Sequence, residues 1–396
     1  MSRGTIRARG KSGKSWEIKF DAGTLPNGRR DTRYHTAHGT KRDAQKRLTE
    51  LLAELDKGTL VDPNKTTVKE WFESWLGPAP EPGKEPVLPA GLKSLKVAER
   101  YRQLAADQVF PHLGTMALQK LKPIHVENLH KTLLERGGKT GKPLAARTVG
   151  HVHRLLHRGL ERAVRVEILT RNVASGVSPP PVEDGEVEIL EAGQLALVLK
   201  ALEGHVLHPF VELDLATGMR RGELLALAWS VLDLDGCTLE VTRSVEETDW
   251  GLRLKPPKSK AGRRTLTFPA STAAVLREHR KKQLEQRIAL GLGKPGPDAL
   301  VFCNPDGSLI APSWLSYTWR NACDSLKLPK VIFHALRHSH ASALIAAGLD
   351  VVAVSKRMGH ASPSITLRVY AHLFDKRSDA GAAAAIEAAM RTQGKR

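Results

Sequence analysis

The stretch "AAGLDVVAVSKRMGHASPSITLRVYAH", residues 346–372, reads two ways, and the choice between them decides the fold. Apolar residues recur at helical spacing on both sides of Gly359, and Ser362 and Pro363 are residues that start helices. Helix, glycine-containing turn, helix is the pattern of a helix-turn-helix, whose second helix reads DNA. On that reading Tyr370, one of only four tyrosines in 396 residues, is an aromatic that packs a helix. The other reading makes it a nucleophile, and a nucleophile needs partners elsewhere in the chain.

Candidates for those partners lie upstream. "LATGMRRGELLALAW" (215–229) puts Arg220 just beyond a Thr-Gly turn, at a helix start. "PPKSKAGRRTLTF" (256–268) is expected to carry its lysines at the tip of a strand hairpin. "FHALRHSHASALIAAG" (333–348) holds His334 and Arg337 one helical turn apart, on one face. "RMGHASPSITLRVYAHLF" (357–374) supplies His360 and, ten residues later, Tyr370.

Taken in order and at these approximate spacings, T-G-x-R-R-G-E, the basic hairpin, H-x-x-R and G-H with its following tyrosine resemble the tyrosine recombinases, specifically the phage-type integrases. H-x-x-R alone arises readily by chance; all four in order are specific. The resemblance covers nearly the whole last part of the chain, and the order of domains covers the rest. It implies a site-specific DNA recombinase, or integrase, that cleaves and rejoins strands through a covalent 3′-phosphotyrosyl intermediate and integrates or excises a mobile element. It further implies a homotetramer on double-stranded DNA attachment sites, exchange through a four-way junction, and accessory DNA-bending or directionality proteins.

The chemistry needs these residue types. Breaking a phosphodiester and resealing it without ATP requires a covalent protein–DNA link that stores the bond energy, made by an oxygen nucleophile. A tyrosine, with a pKa near 10, is a poor nucleophile until deprotonated but a reasonable leaving group on return. Charge gathering on the phosphoryl oxygens calls for guanidinium groups, whose planar fork matches two oxygens. By the resemblance, Arg220 and Arg337 take that role and Tyr370 attacks. The hairpin lysine that protonates the departing 5′ oxygen is Lys260, with Lys258 as the alternative. His334 assists proton transfer, His360 hydrogen-bonds a phosphate oxygen, and Glu223 orients its neighbours. Neither a cofactor nor a metal is implied.

Composition points the same way. Sixty-one Lys and Arg against 42 Asp and Glu give a net charge of +19, which favours a polyanionic partner, nucleic acid before an acidic membrane. Through residue 47 there are 13 basic and 4 acidic side chains, so nearly half the excess lies in an eighth of the chain. Three cysteines far apart make neither a disulfide framework nor a paired metal site, which fits a reducing, cytoplasmic setting. The opening "MSRGTIRARGKSGKSW" lacks the apolar core of a secretory signal, and no apolar run approaches the length of a membrane span.

The expected fold is multidomain, mainly α with small β-sheets. Residues 1–62 read as a sheet-plus-helix, arm-type DNA-binding module, with turns at Lys11–Lys14 and "LPNGRR" and a helix capped by Thr40. Residues 63–175 read as a helical core-binding domain, interrupted by the Pro/Gly-rich loop "GPAPEPGKEPVLPAGLK" (77–93). Its helices are expected near 94–110, 123–136 and 145–165, the last with an arginine face at Arg147, Arg154, Arg158 and Arg162. "GVSPPPVEDGE" (176–186) is a linker, and residues 187–396 form a mixed α/β, mostly α catalytic domain ending in an Ala-rich helix.

Other motifs carry less. "GGKTGKP" (137–143) lacks the first glycine and the Ser/Thr of a phosphate loop and reads as a turn. The pairs His153/His157 and His334/His338 stand at metal-compatible spacing but lack HExxH, so the first pair is expected to be exposed or to face DNA. Two other functions fit parts of the sequence: a non-catalytic helix-turn-helix regulator, and a type IB topoisomerase-like enzyme that nicks and closes. The regulator leaves Arg220, the basic hairpin and the His334–Arg337 pair without a purpose.

Overall fold

A computed structural model describes residues 4–9, 14–24, 28–56, 60, 64–81, 84, 87–138, 140–183, 188–257, 259–374, 386–387 and 390. The chain divides into two compact units, Met1–Glu183 and Asp184–Arg396.

The first unit opens with three antiparallel strands, β1 (Gly4–Ala8), β2 (Ser15–Thr24) and β3 (Arg30–His38), in the order β1-β2-β3. Period-two alternation turns Ile18 and Phe20 of β2 to one face, where α1 (Lys41–Asp56) covers them with Ala44, Leu48 and Leu51. Thr40 starts that helix as expected: its hydroxyl accepts from the Asp43 amide at 3.3 Å, and Asp43 Oδ2 accepts from the Thr40 amide at 2.8 Å. Most of the turn at Lys11–Lys14, and Leu25, Pro26 and Asn27 of the second turn, lie outside the described residues.

A separate core follows. It is built by α2 (Val68–Leu76), α3 (Leu95–Leu104), the single turn α4 (Phe110–Leu113), α5 (Pro123–Arg136) and α6 (Ala146–Arg165). A π-helical stretch, Ala105–Val109, joins α3 to α4. Thr67 and Glu70 close a capping box on α2, and Trp71 Nε1 donates to the Gly159 carbonyl of α6 at 2.9 Å. The Pro/Gly-rich segment 77–93 is largely exposed where described, and Trp75 Nε1 ties it down through the Ala90 carbonyl at 2.9 Å.

On α6, Val149, Val152, Leu156, Leu160 and Ala163 are fully buried, while Arg147, Arg154 and Arg158 are exposed. The expectation that His153 is exposed is wrong. α6 also buries Leu155 and Gly159, so its apolar face is wider than one stripe and takes His153 in, its ring centroid 5.2 Å from that of His130. His157 is half-buried, with Nε2 3.2 Å from the Ser175 hydroxyl.

The second unit begins with α7 (Ala192–Ala201), α8 (His208–Thr217) and α9 (Arg221–Leu225). Then come β4 (Leu232–Asp233), β5 (Thr238–Val241), β6 (Ser244–Thr248), β7 (Gly251–Lys255) and β8 (Arg264–Thr267). They are followed by α10 (Ala270–Ala289), α11 (Pro312–Ser325), α12 (His334–Ala346), α13 (Val351–Met358) and α14 (Pro363–Phe374). Its main core gathers Val211, Leu224, Leu239, Leu266, Leu276, Phe302, Trp319 and Leu336. A smaller cluster of Ala341, Ile345, Val354, Met358 and Tyr370 fastens α12, α13 and α14 together.

The strands correct one expectation. "PPKSKAG" is not the tip of a hairpin: β6 pairs with β7, β8 pairs with β5, and the segment crosses from one sheet to the other. Pro256 and Pro257 follow the last residue of β7 and have no amide hydrogen to extend the ladder, so the chain leaves that sheet there. The result is a mainly α chain with small antiparallel sheets. No helix among the described residues is long and apolar enough to cross a membrane. Most of the Ala-rich tail lies outside the described residues.

Candidate active site

α8 stops at Gly218, whose φ of 63° and ψ of 31° are left-handed and whose added Cβ would run into the ring of His340. That stop places Arg220 at the cap of α9. Arg220 Nη1 donates to Glu223 Oε1 at 2.7 Å, and Nη2 donates to the Gly359 carbonyl at 2.7 Å. Glu223 is 3 % exposed and also accepts from Arg264 Nη2 at 3.0 Å. Burial works against its charge, but Arg264 and Arg220 prevail and hold the carboxyl below its ordinary pKa.

Arg337, on α12, is buried. Its Nη1 donates to the Gly218 carbonyl and its Nη2 to the Met358 carbonyl, each at 2.5 Å. Burial, then the charge of Arg220, pushes its pKa down to about 10, which leaves it charged at neutral pH.

These contacts share a pattern. The last turn of a helix has carbonyls without intrahelical partners and a negative dipole end. At the end of α13 three consecutive carbonyls each accept from a different arginine: Arg357 from Arg264 Nε at 2.7 Å, Met358 from Arg337, and Gly359 from Arg220. Gly359 has a φ of 64°, and a Cβ there would lie 2.9 Å from Arg264 Nη1 and 3.1 Å from the Ala261 carbonyl. The turn Lys260–Gly262 is therefore packed against the same helix end. The Lys260 side chain, and Lys258 altogether, lie outside the described residues.

His360 follows at once, its Nδ1 2.8 Å from the hydroxyl of the buried Thr366. Tyr370 is 1 % exposed and its hydroxyl lies 2.6 Å from His338 Nδ1. The rings of His338 and His334 meet edge to face at 4.8 Å. Burial raises the Tyr370 pKa to about 12, with Arg337 working against it. It lowers His338 to about 4, helped by Arg337, and His360 to about 4, helped by Arg337 and Arg220. His334 keeps an open side to solvent, yet crowding by protein, then His338, Arg337 and Arg220, brings it to about 4. The site thus gathers guanidinium groups and neutral imidazoles beside a protonated tyrosine. It is built to receive an anion.

Comparison with known proteins agrees. Residues 188–377 match the phage integrase family. The chain is 26% identical over 354 residues to a tyrosine recombinase XerC-like protein of Caldanaerobacter subterraneus subsp. tengcongensis, covering 85% of this chain and 87% of that one. It is 28% identical to an integrase of Streptomyces ambofaciens, with 92% of each covered. Together these matches support a tyrosine recombinase.

The activity of this recombinase is site-specific breaking and rejoining of DNA strands. Its fold is that of solved integrases. The Tn1549 transposon integrase in complex with transposon right end DNA superposes with a TM-score of 0.59 at 21% identity, covering 75% of this chain and 94% of that one. A lambda integrase tetramer bound to a Holliday junction gives 0.53 at 15%, covering 93% and 94%.

Of the residues singled out from the recombinase's sequence, Arg220, Glu223 and Arg337 form one hydrogen-bonded patch at the end of α13, with His360 next in the chain. His334 packs against His338, and it is His338 that meets the tyrosine hydroxyl. Sequence reading weighed His338 for metal alone and did not connect it with Tyr370. It also passed over Arg264, although β8 alternates and puts Arg264 on the face of buried Leu266, where a charge needs a partner. Asp214, on α8, is a third omission. Burial raises its pKa well above its ordinary value, against the pull of Arg337, and among the described residues its Oδ1 has no hydrogen-bond partner.

Proposed function

We propose that Tyr370 attacks the scissile phosphodiester and holds the cut strand as a 3′-phosphotyrosyl link, so that the recombinase integrates or excises a mobile element by exchanging one strand at a time. The observation that carries the proposal is the shared anchoring of Arg220 and Arg337 on adjacent carbonyls, Gly359 and Met358, in the turn that leads to the helix of Tyr370. Two guanidinium groups so fixed suit the charge that develops on the phosphoryl oxygens, with little reorganisation at the moment of reaction. His360 adds a hydrogen bond to a phosphate oxygen, and Lys260, with Lys258 as the alternative, protonates the departing 5′ oxygen. His334 assists proton movement, and Glu223 orients Arg220 through two hydrogen bonds.

Residues 1–62 bind arm-type DNA, with the basic excess through residue 47 on the phosphates. Residues 63–175 grip the core site with the arginine face of α6. Residues 187–396 carry the reaction, and the linker 176–186 joins them to the rest. The protein works in the bacterial cytoplasm as a homotetramer on two sites, with the C-terminal helix on a neighbouring copy and accessory DNA-bending or directionality proteins choosing the direction.

The test is a nicked suicide duplex built from the junction between the mobile element and its host DNA. Wild type should remain on the DNA in a denaturing gel, and Tyr370→Phe should not. Equal trapping by Tyr370→Phe would end the proposal.

A further inference from the structure

The nucleophile's nearest polar partner is a residue that the sequence motifs leave without a role. We infer that His338 is a catalytic residue: it accepts the Tyr370 proton as the tyrosine oxygen attacks, and returns it when that oxygen departs. The inference rests on the proposed reading of Tyr370 as nucleophile.

Geometry carries it. His338 Nδ1 stands 2.6 Å from the Tyr370 oxygen, and among the described residues no other side chain hydrogen-bonds that hydroxyl. At 1 % exposure no bulk water is at hand to take the proton, so a buried phenol needs an acceptor inside the protein. A general base must lie within hydrogen-bond reach of the proton it removes, and His338 does, whereas His334 is a ring away. His338 also follows Arg337 on α12. One rigid helix therefore carries both a cation for the phosphate and the acceptor for the nucleophile.

In the forward step the bond from Tyr370 oxygen to phosphorus forms and the phosphorus–O5′ bond breaks. The phenolic proton moves to His338 Nδ1, and the leaving oxygen takes a proton from the acid assigned above to Lys260. In the reverse step the 5′ hydroxyl attacks and returns its proton to the group assigned above to Lys260, the phosphotyrosyl bond breaks, and imidazolium His338 gives its proton back to the phenolate. The groups that set the readiness of His338 are Arg337 and His334 on its own helix, Tyr370 on α14 and His360 in the turn before it. Without DNA, burial and Arg337 keep the imidazole neutral and able to accept. An arriving phosphate offsets the arginine charge and favours the imidazolium, so the base gains strength when substrate is bound.

The experiment uses the full-length protein and the suicide duplex in two forms, one with an ordinary phosphodiester and one with a 5′-bridging sulfur. Sulfur leaves without an acid, so the second form removes Lys260 from the measurement and isolates activation of the nucleophile. The variants are His338→Asn, whose side-chain amide keeps a polar atom near Nδ1 but is no base, and His338→Ala. Both should bind the duplex like wild type and form adduct on the sulfur substrate roughly a hundredfold more slowly or worse. Their rates should climb with pH as hydroxide takes over, while the wild-type rate stays flat above neutrality.

A wild-type rate for His338→Asn on the sulfur substrate would overturn the inference and leave the nucleophile standing. Faster cleavage by His338→Ala would overturn it too, making the contact a latch. Failure of wild type to form any adduct, or adduct formation by Tyr370→Phe, would overturn the reading of Tyr370 itself.

Discussion

The two units each hold histidines one helical turn apart and packed ring against ring, and they use them differently. In the first unit His153 faces His157 at 6.3 Å and His130 at 5.2 Å, and among the described residues His130 Nε2 and His153 Nδ1 have no hydrogen-bond partner. In the second, His334 and His338 lie at 4.8 Å, and His338 reaches Tyr370. Burial brings His130 to a pKa of about 4, the same depressed value that it gives His338. A lowered pKa therefore does not mark the pair proposed to react. Arg337, Arg220 and a tyrosine hydroxyl around one pair, and helix packing around the other, separate chemistry from architecture.

The sharpest way to break the comparison is to weaken the cations. Arg337→Lys keeps the charge but cannot serve both the Gly218 and Met358 carbonyls with a planar fork. Single-turnover cleavage should fall by about 10²–10³-fold. Loss of less than about tenfold (1.4 kcal/mol) would mean that the guanidinium is structural. Next in size is Arg264→Met, which leaves Glu223 with one cation and the Arg357 carbonyl unpaired. We expect denaturant unfolding of the second unit to show a loss of about 3 kcal/mol. Intact stability there would put the holding force in Arg220 alone.

The smallest effect belongs to the first unit. Folding lowers the His130 pKa from 6.5 to about 4, so the folded state prefers the neutral ring. Its contribution is present above pH 6.5 and is lost as pH falls toward 4. Between pH 7 and pH 5 that comes to roughly 2 kcal/mol. The opening equilibrium of α5 and α6, read from amide exchange after correction for the intrinsic rate at each pH, should rise about thirtyfold over that interval, and His130→Leu should flatten the slope while leaving cleavage unchanged. An unaltered slope would show that water solvates the His130 imidazolium and that burial does not hold the ring neutral.

Much of this was legible in the chain, for reasons that can be named. Arg220 and Arg337 stand in motifs whose local structure is self-specifying: a Thr-Gly helix stop before one, a helix start before the other. Tyr370 was visible through its spacing from His360. The meeting of Tyr370 with His338 spans 32 residues of chain and depends on how α12, α13 and α14 pack around Met358, which no local pattern encodes. The inward turn of Arg264 was encoded, in the alternation of β8, and went unread beside its neighbour Arg263. The sheet crossover was encoded too, in the two prolines after Lys255. His153 was misjudged because a face one stripe wide was assumed where α6 buries two.

The run of carbonyls at 357–359 has one more consequence, for what the gene can tolerate. Three arginines from three distant parts of the chain each address one rung of the same short ladder. Side-chain substitutions nearby test one rung at a time. Adding or deleting a single codon between Lys356 and His360 would shift every rung at once, leaving each arginine opposite a neighbour's carbonyl. That segment should vary in letters far more readily than in length.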